Sequence, residues 1–149
     1  MKIEDYIFVE TNDSCALCGQ KGLSNLTKHH IDDDRNNGEY DNLLVLCRNC
    51  HCRFNEKKGI TKKQIKETKR KLIIKTCTCF GVNALKFTER NKCGVIAMPF
   101  LLYHLVDLGL MKKKENQMGF ESQDGFQKDA IARFTITPKG RDFYKKWLK

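Results

Sequence analysis

Residues 15–52 read CALCGQKGLSNLTKHHIDDDRNNGEYDNLLVLCRNCHC, and this stretch decides the fold of the first half of the chain. Cys15-Ala-Leu-Cys18 and Cys47-Arg-Asn-Cys50 are two C-x2-C pairs, each able to offer two thiolates to one tetrahedral ion. Met1 to Glu10 carries no basic region followed by an apolar core and cleavage site, so the cytoplasm is the expected compartment. Thiols there stay reduced, and metal ligation explains the paired spacing better than disulfides. The expectation is one structural zinc held by Cys15, Cys18, Cys47 and Cys50.

Closing that site forces the residues between Cys18 and Cys47 to project as a hairpin. Turn-forming Asn36, Asn37 and Gly38 precede the apolar run Leu43-Leu44-Val45-Leu46, which places the hairpin between Thr27 and Leu46. His29 and His30 sit on it, and His51 directly follows Cys50. Zinc closure therefore brings a hairpin histidine beside one from the next helix. Two imidazoles can share a second, more open ion, leaving positions for water and phosphate as a catalytic metal requires.

Taken together and in order, Cys15-x2-Cys18, His29-His30-Ile31, Asn42-Leu43 and Leu46-Cys47-x2-Cys50-His51 resemble the HNH nuclease family, the ββα-metal finger in its zinc-bound form. The resemblance covers residues 13–58 and implies a metal-dependent DNA endonuclease. Such an enzyme hydrolyses phosphodiester bonds and leaves 5′-phosphate and 3′-hydroxyl ends. It implies that His30 is the general base that activates water, that His29 and His51 bind the catalytic ion, and that Asn42 holds the loop orienting His30. An imidazole can accept a proton near neutral pH, and a nearby dication opposes its protonation. His29 stands where many relatives carry Asp, which softens the site: Mg²⁺ or Mn²⁺ is expected, with other transition metals admissible.

Charge adds a partner. The chain of 149 residues carries a net +10 with 31 % charged and 40 % hydrophobic residues, a composition that excludes global disorder. Residues 1–52 sum to −4, residues 53–75 to +8 and residues 76–149 to +6. A basic helix opening at Thr61, with Gln64 completing a capping box, is predicted to run to Thr76. Its Lys62, Lys63, Lys66, Lys69 and Arg70 are expected to meet phosphates. The longest uncharged stretch, Cys93 to Val106, is too short to span a bilayer, so no membrane association is expected.

In the second half, Val82–Glu89 reads as a short helix and Asn91–Gly94 as a turn. Pro99–Leu108 reads as a helix with proline at its first position, stopped by Gly109. Met111–Glu115 and Ala130–Thr137 read as two strands around the polar segment Asn116–Asp129, and Thr137-Pro138 opens a last helix. Phe100–Met111 followed by Phe134-Thr-Ile-Thr-Pro-Lys-Gly-Arg141 resembles winged-helix DNA-binding domains. That resemblance implies a recognition helix at Pro99–Leu108 and a wing whose Lys112, Lys113, Lys114 and Arg133 contact DNA.

The expected architecture is α+β: a zinc-bound ββα-metal HNH module (1–60), a basic linking helix (61–79) and a small winged-helix-like domain (80–149). Double-stranded DNA is the expected partner, and a second copy of the chain is admissible. Two alternatives stand beside the nuclease: a non-enzymatic, zinc-containing DNA-binding transcriptional regulator, and a junction-resolving nuclease of the same class. Asp32, Asp33 and Asp34 read as a solvated loop, Cys52, Cys77, Cys79 and Cys93 as free thiols, and His104 as a packing residue.

Overall fold

The computed structural model describes residues 1–114 and 131–149, and they form two compact units, Met1–Thr76 and Cys77–Lys149. Together they are a mixed α+β chain. The predicted strand ends Glu115 and Ala130, and the segment Asn116–Asp129, lie outside the described residues.

Unit one is built on a two-stranded antiparallel hairpin, β1 (Leu26–His30) against β2 (Leu43–Cys47), with Leu26 opposite Cys47 and His30 opposite Leu43. All five β2 residues are buried. A strand covered on both faces has no need to alternate polar and apolar residues, which is why Leu43 to Leu46 form an unbroken apolar run. The covers are helix α1 (Ile3–Thr11) and helix α2 (Arg48–Asn55), both packed on β2. The start of the chain is thus helical. Its first turn is closed by the Lys2 backbone N–H donating to Asp5 Oδ2 at 2.9 Å.

Helix α2 ends before Lys57 and Gly59, both at positive φ, 58° and 78°. Helix α3 (Lys62–Arg90) then opens on the predicted box: Thr61 N–H donates to Gln64 Oε1 at 2.8 Å, and Gln64 N–H donates to Thr61 Oγ1 at 3.2 Å. The expected stop near Thr76 is a break rather than an end. Thr78 sits at φ 58°, ψ 168°, costly for a β-branched residue, and its Oγ1 accepts from Gly81 N–H at 3.4 Å, capping the helical run that follows. The short helix expected at Val82–Glu89 is part of that run.

Unit two is a three-stranded antiparallel sheet in the order β3-β5-β4, from β3 (Val95–Ala97), β4 (Met111–Lys114) and β5 (Ala132–Ile136). The sequence pattern foresees β4 and β5 but not β3, which follows the Asn91–Gly94 turn and pairs Val95 with Phe134. Helix α4 (Pro99–Asp107) buries Leu102 and Leu105, and helix α5 (Pro138–Trp147) buries Phe143, Tyr144 and Trp147. Gly140 is required where it stands, because a side chain there would run into the Leu110 carbonyl. His104 on α4 is part-buried, its Nε2 3.1 Å from the Cys77 carbonyl just before the break. Burial lowers its pKa, opposed by that carbonyl. No helix among the described residues is long and apolar enough to cross a membrane.

Candidate functional site

The sulfurs of Cys15, Cys18, Cys47 and Cys50 all lie within 4.8 Å of one another. A tetrahedral ion with Zn–S bonds of about 2.3 Å sets sulfurs about 3.8 Å apart, and Cys18 Sγ lies 3.7 Å from Cys47 Sγ. Local backbone chemistry shapes each pair. Gly19, at φ 72°, turns the chain back so that its N–H donates to the Cys15 carbonyl at 2.8 Å. Ala16 N–H donates to the Val45 carbonyl at 2.9 Å, fixing this first turn to β2. Cys47 caps α2, its sulfur accepting from Cys50 N–H at 3.4 Å.

The four thiols are electrostatically unequal. Burial pushes Cys15 up, but backbone hydrogen bonds outweigh it and hold the thiol at about 7; burial and the neighbouring sulfurs push Cys50 up. Four sulfurs this close cannot all be thiolates unless a cation offsets their repulsion. The donor set, its spacing and its burial fit one structural zinc.

Further along the same hairpin, β1 presents its histidines, His29 opposite Leu44 and His30 opposite Leu43. His29 is buried, its ring centroid 5.1 Å from that of His51 and 4.8 Å from that of Phe54. Burial, then the neighbouring His51, lowers its pKa to about 4, so the ring is neutral at neutral pH. Its Nε2 is buried with no hydrogen-bond partner. An orphaned imidazole nitrogen costs free energy unless something accepts its lone pair or proton, and a metal ion does so.

His51 is prepared by a residue for which the sequence offered no signal. Thr27 Oγ1 donates to the Leu46 carbonyl at 3.2 Å and lies 3.2 Å from His51 Nδ1. A hydroxyl has one proton, so the arrangement that satisfies both contacts has it donating to Leu46 and accepting from His51 Nδ1–H, which leaves the Nε2 lone pair available. Asn55 lies one helical turn beyond His51, on the same face of α2. The spacing of four residues from His51 is the signal the sequence carries for it.

His30, half-buried at the end of β1, faces the opposite side of the strand from His29. The loop after it is clamped by the buried Asn42. Asn42 Nδ2 donates to Asp32 Oδ1 and to the Asn37 carbonyl, both at 2.8 Å, and its Oδ1 accepts from Asp32 N–H at 3.0 Å. Three bonds from one amide leave the chain around His30 little freedom.

The residues expected to meet DNA divide. Lys62, Lys63, Lys66 and Arg70 are exposed on α3, Lys62 paired to Asp33 at 2.7 Å and Lys63 to Glu67 at 3.9 Å. Lys112, Lys113 and Lys114 are exposed on β4, an edge strand, with Lys113 Nζ over the Tyr103 ring. Arg133 is half-buried on the central strand, its Nη1 donating to the Cys93 carbonyl at 3.3 Å. Lys69 must be withdrawn from the set: its side chain is fully buried, bonded to Glu10 Oε1 at 2.7 Å, and cannot reach a phosphate.

Comparison with protein-family models, with curated proteins and with solved structures finds no match to this chain.

Proposed function

We propose that the chain is a metal-dependent DNA endonuclease of the HNH type, its chemistry contained in residues 1–76. The observation that carries this is His29: a buried, neutral imidazole with an unpartnered Nε2, set against His51, whose Nε2 lone pair is kept available by Thr27. Such a pair is built to hold an ion that keeps open positions.

A divalent ion bound there would offset charge on the scissile phosphate and on the departing 3′ oxygen. His29 and His51 would hold it through their ring nitrogens. His30 would take a proton from the attacking water, and Asn42 would keep the loop that aims it. The four cysteines would pin the Cys15–Cys18 turn to the end of β2 and the start of α2, fixing the hairpin against the helix that carries His51. Duplex DNA is the proposed partner, bound by the exposed lysines of α3 and β4. The second unit is proposed to anchor the duplex as a winged helix would, although its sheet contains a third strand.

The test is incubation of supercoiled plasmid with the protein and Mg²⁺ or Mn²⁺. Wild type should nick or linearise it; His30→Ala should abolish cutting with DNA affinity retained, and His51→Ala should demand far more ion. Retained cutting by His30→Ala removes that residue from the chemistry. A wild type that binds the plasmid yet cuts it with neither ion turns the conclusion to a zinc-containing DNA-binding regulator.

A further inference from the structure

Beside the histidine pair lies an open groove of about 650 Å³, within the range of about 300–1,000 Å³ usual for ligand sites. Phe54, whose ring packs edge-on against His29, forms part of its wall, so the groove adjoins the histidine site. Asn55, Lys57 and Lys62 also line it, offering one amide and two ammonium groups. The single carboxylate in its lining belongs to Asp33, and Lys62 already neutralises it at 2.7 Å. That ion pair is 67 % and 59 % exposed at its two side chains. Water screens such a pair, so it adds little to stability and its partners exchange readily.

We propose that this groove is a subsite for a backbone phosphate flanking the one to be cut, with Lys62 leaving Asp33 to bind it and Lys57 and Asn55 beside it. This rests on the nuclease reading. It assigns Asp33 a role opposite to that of an acidic ligand: the carboxylate competes with phosphate for Lys62. A strand that brings a phosphate to this point displaces the competitor, while an isolated carboxylate or a neutral ligand does not.

The consequence can be measured without turnover. Zinc-loaded, ¹⁵N-labelled full-length protein is titrated with the 5′-phosphorylated dinucleotide pTpT, with no other divalent ion added. Shifts should concentrate at Asp33, the Asn55 side-chain amide, Lys57 and Lys62. Asp33→Asn should bind pTpT several-fold more tightly, Lys62→Ala should lose the site and Lys62→Arg should keep it. Unchanged or weaker binding by Asp33→Asn overturns the competition. Shifts along the later lysines of α3, with none at the groove, overturn the subsite. Each variant alters exposed side chains, and its zinc content and circular dichroism confirm the fold. Plasmid cutting by wild type together with a silent groove sinks the subsite and leaves the nuclease standing. The expected shifts in a protein that cuts nothing uphold the phosphate site and sink the nuclease.

Discussion

At the residue scale, function turns on single protons. Thr27 gives its hydroxyl proton to the Leu46 carbonyl and so receives the one on His51 Nδ1. Thr27→Val keeps the branched shape and removes both bonds, freeing His51 to take the other tautomer. Such outer partners of a metal-binding histidine are typically worth about 10–100-fold in metal affinity. We therefore expect the Mn²⁺ concentration for half-maximal plasmid cutting to rise by about that factor in Thr27→Val, with the plateau rate kept and Thr27→Ser close to wild type. An unchanged Mn²⁺ dependence would show that something else sets the tautomer. His104 gives a second case, in unit two, where it is the one histidine of the sequence beyond residue 76. Burial lowers its folded-state pKa below the unfolded value of about 6.5. The unfolded chain then binds more protons on the acid side, so stability is full above pH of about 6.5 and is lost as pH falls through the lowered folded value. His104→Gln, which keeps a donor for the Cys77 carbonyl, should flatten this acid limb when unfolding is followed by Trp147 emission. An identical limb in the variant would absolve His104.

At the element scale, α3 shows what a one-dimensional pattern conceals. Lys69 sits among basic residues and reads as one more phosphate contact, yet the helix turns it inward between Glu10 of α1 and the ring of Tyr40, 3.8 Å from its ammonium. Tyr40 donates to the other Glu10 oxygen at 2.5 Å, and Thr76 adds a bond at 3.4 Å. The partner of Lys69 lies 59 residues away in sequence, so no local spacing could have revealed it. By contrast the cysteine pairs were legible, because each C-x2-C places two thiols of the cluster within one local pattern, and that paired spacing is itself the zinc signal. The capping box at Thr61 was legible for the same reason. Strand β3 was not, since three residues carry too little alternation to read. Removing one partner of a buried pair strands the other charge, at a typical cost of about 3–5 kcal/mol. Lys69→Met should therefore lower the stability of unit one steeply in urea, and Glu10→Gln in the same chain should restore much of it. If the double variant were no better than Lys69→Met alone, the cost would lie in packing and not in charge.

At the scale of the whole molecule, each unit has its own core, and one ion is asked to hold only the first. Unit one buries the β2 leucines and Ile65 and Ile73 of α3, and its two cysteine pairs, with Cys18 and Cys47 lying 29 residues apart, meet at the sulfur cluster. Unit two buries Leu102, Leu105, Leu108, Phe134, Phe143 and Trp147 and contains none of the four clustered cysteines. The sequence places this division between residues 79 and 80; the structure sets it between 76 and 77, inside one helical run, where the strained backbone at Thr78 marks it. It does provide a measurement, since Trp147 is the one tryptophan of the chain and lies in the second core. Native protein should carry about one zinc per chain, as four thiolates around one ion require. Binding free energy at such a site is folding free energy. Stripping zinc with a strong chelator, or replacing Cys47 by Ser, should then melt unit one at low temperature in the far-ultraviolet signal. The transition seen by Trp147 emission should stay near its native temperature. Zinc-free protein whose ultraviolet signal melts as the native does would mean that the thiols hold no ion that matters to the fold. A Trp147 transition that falls together with the first would mean that the second core depends on the zinc as well, and that Thr78 joins two halves of one cooperative body.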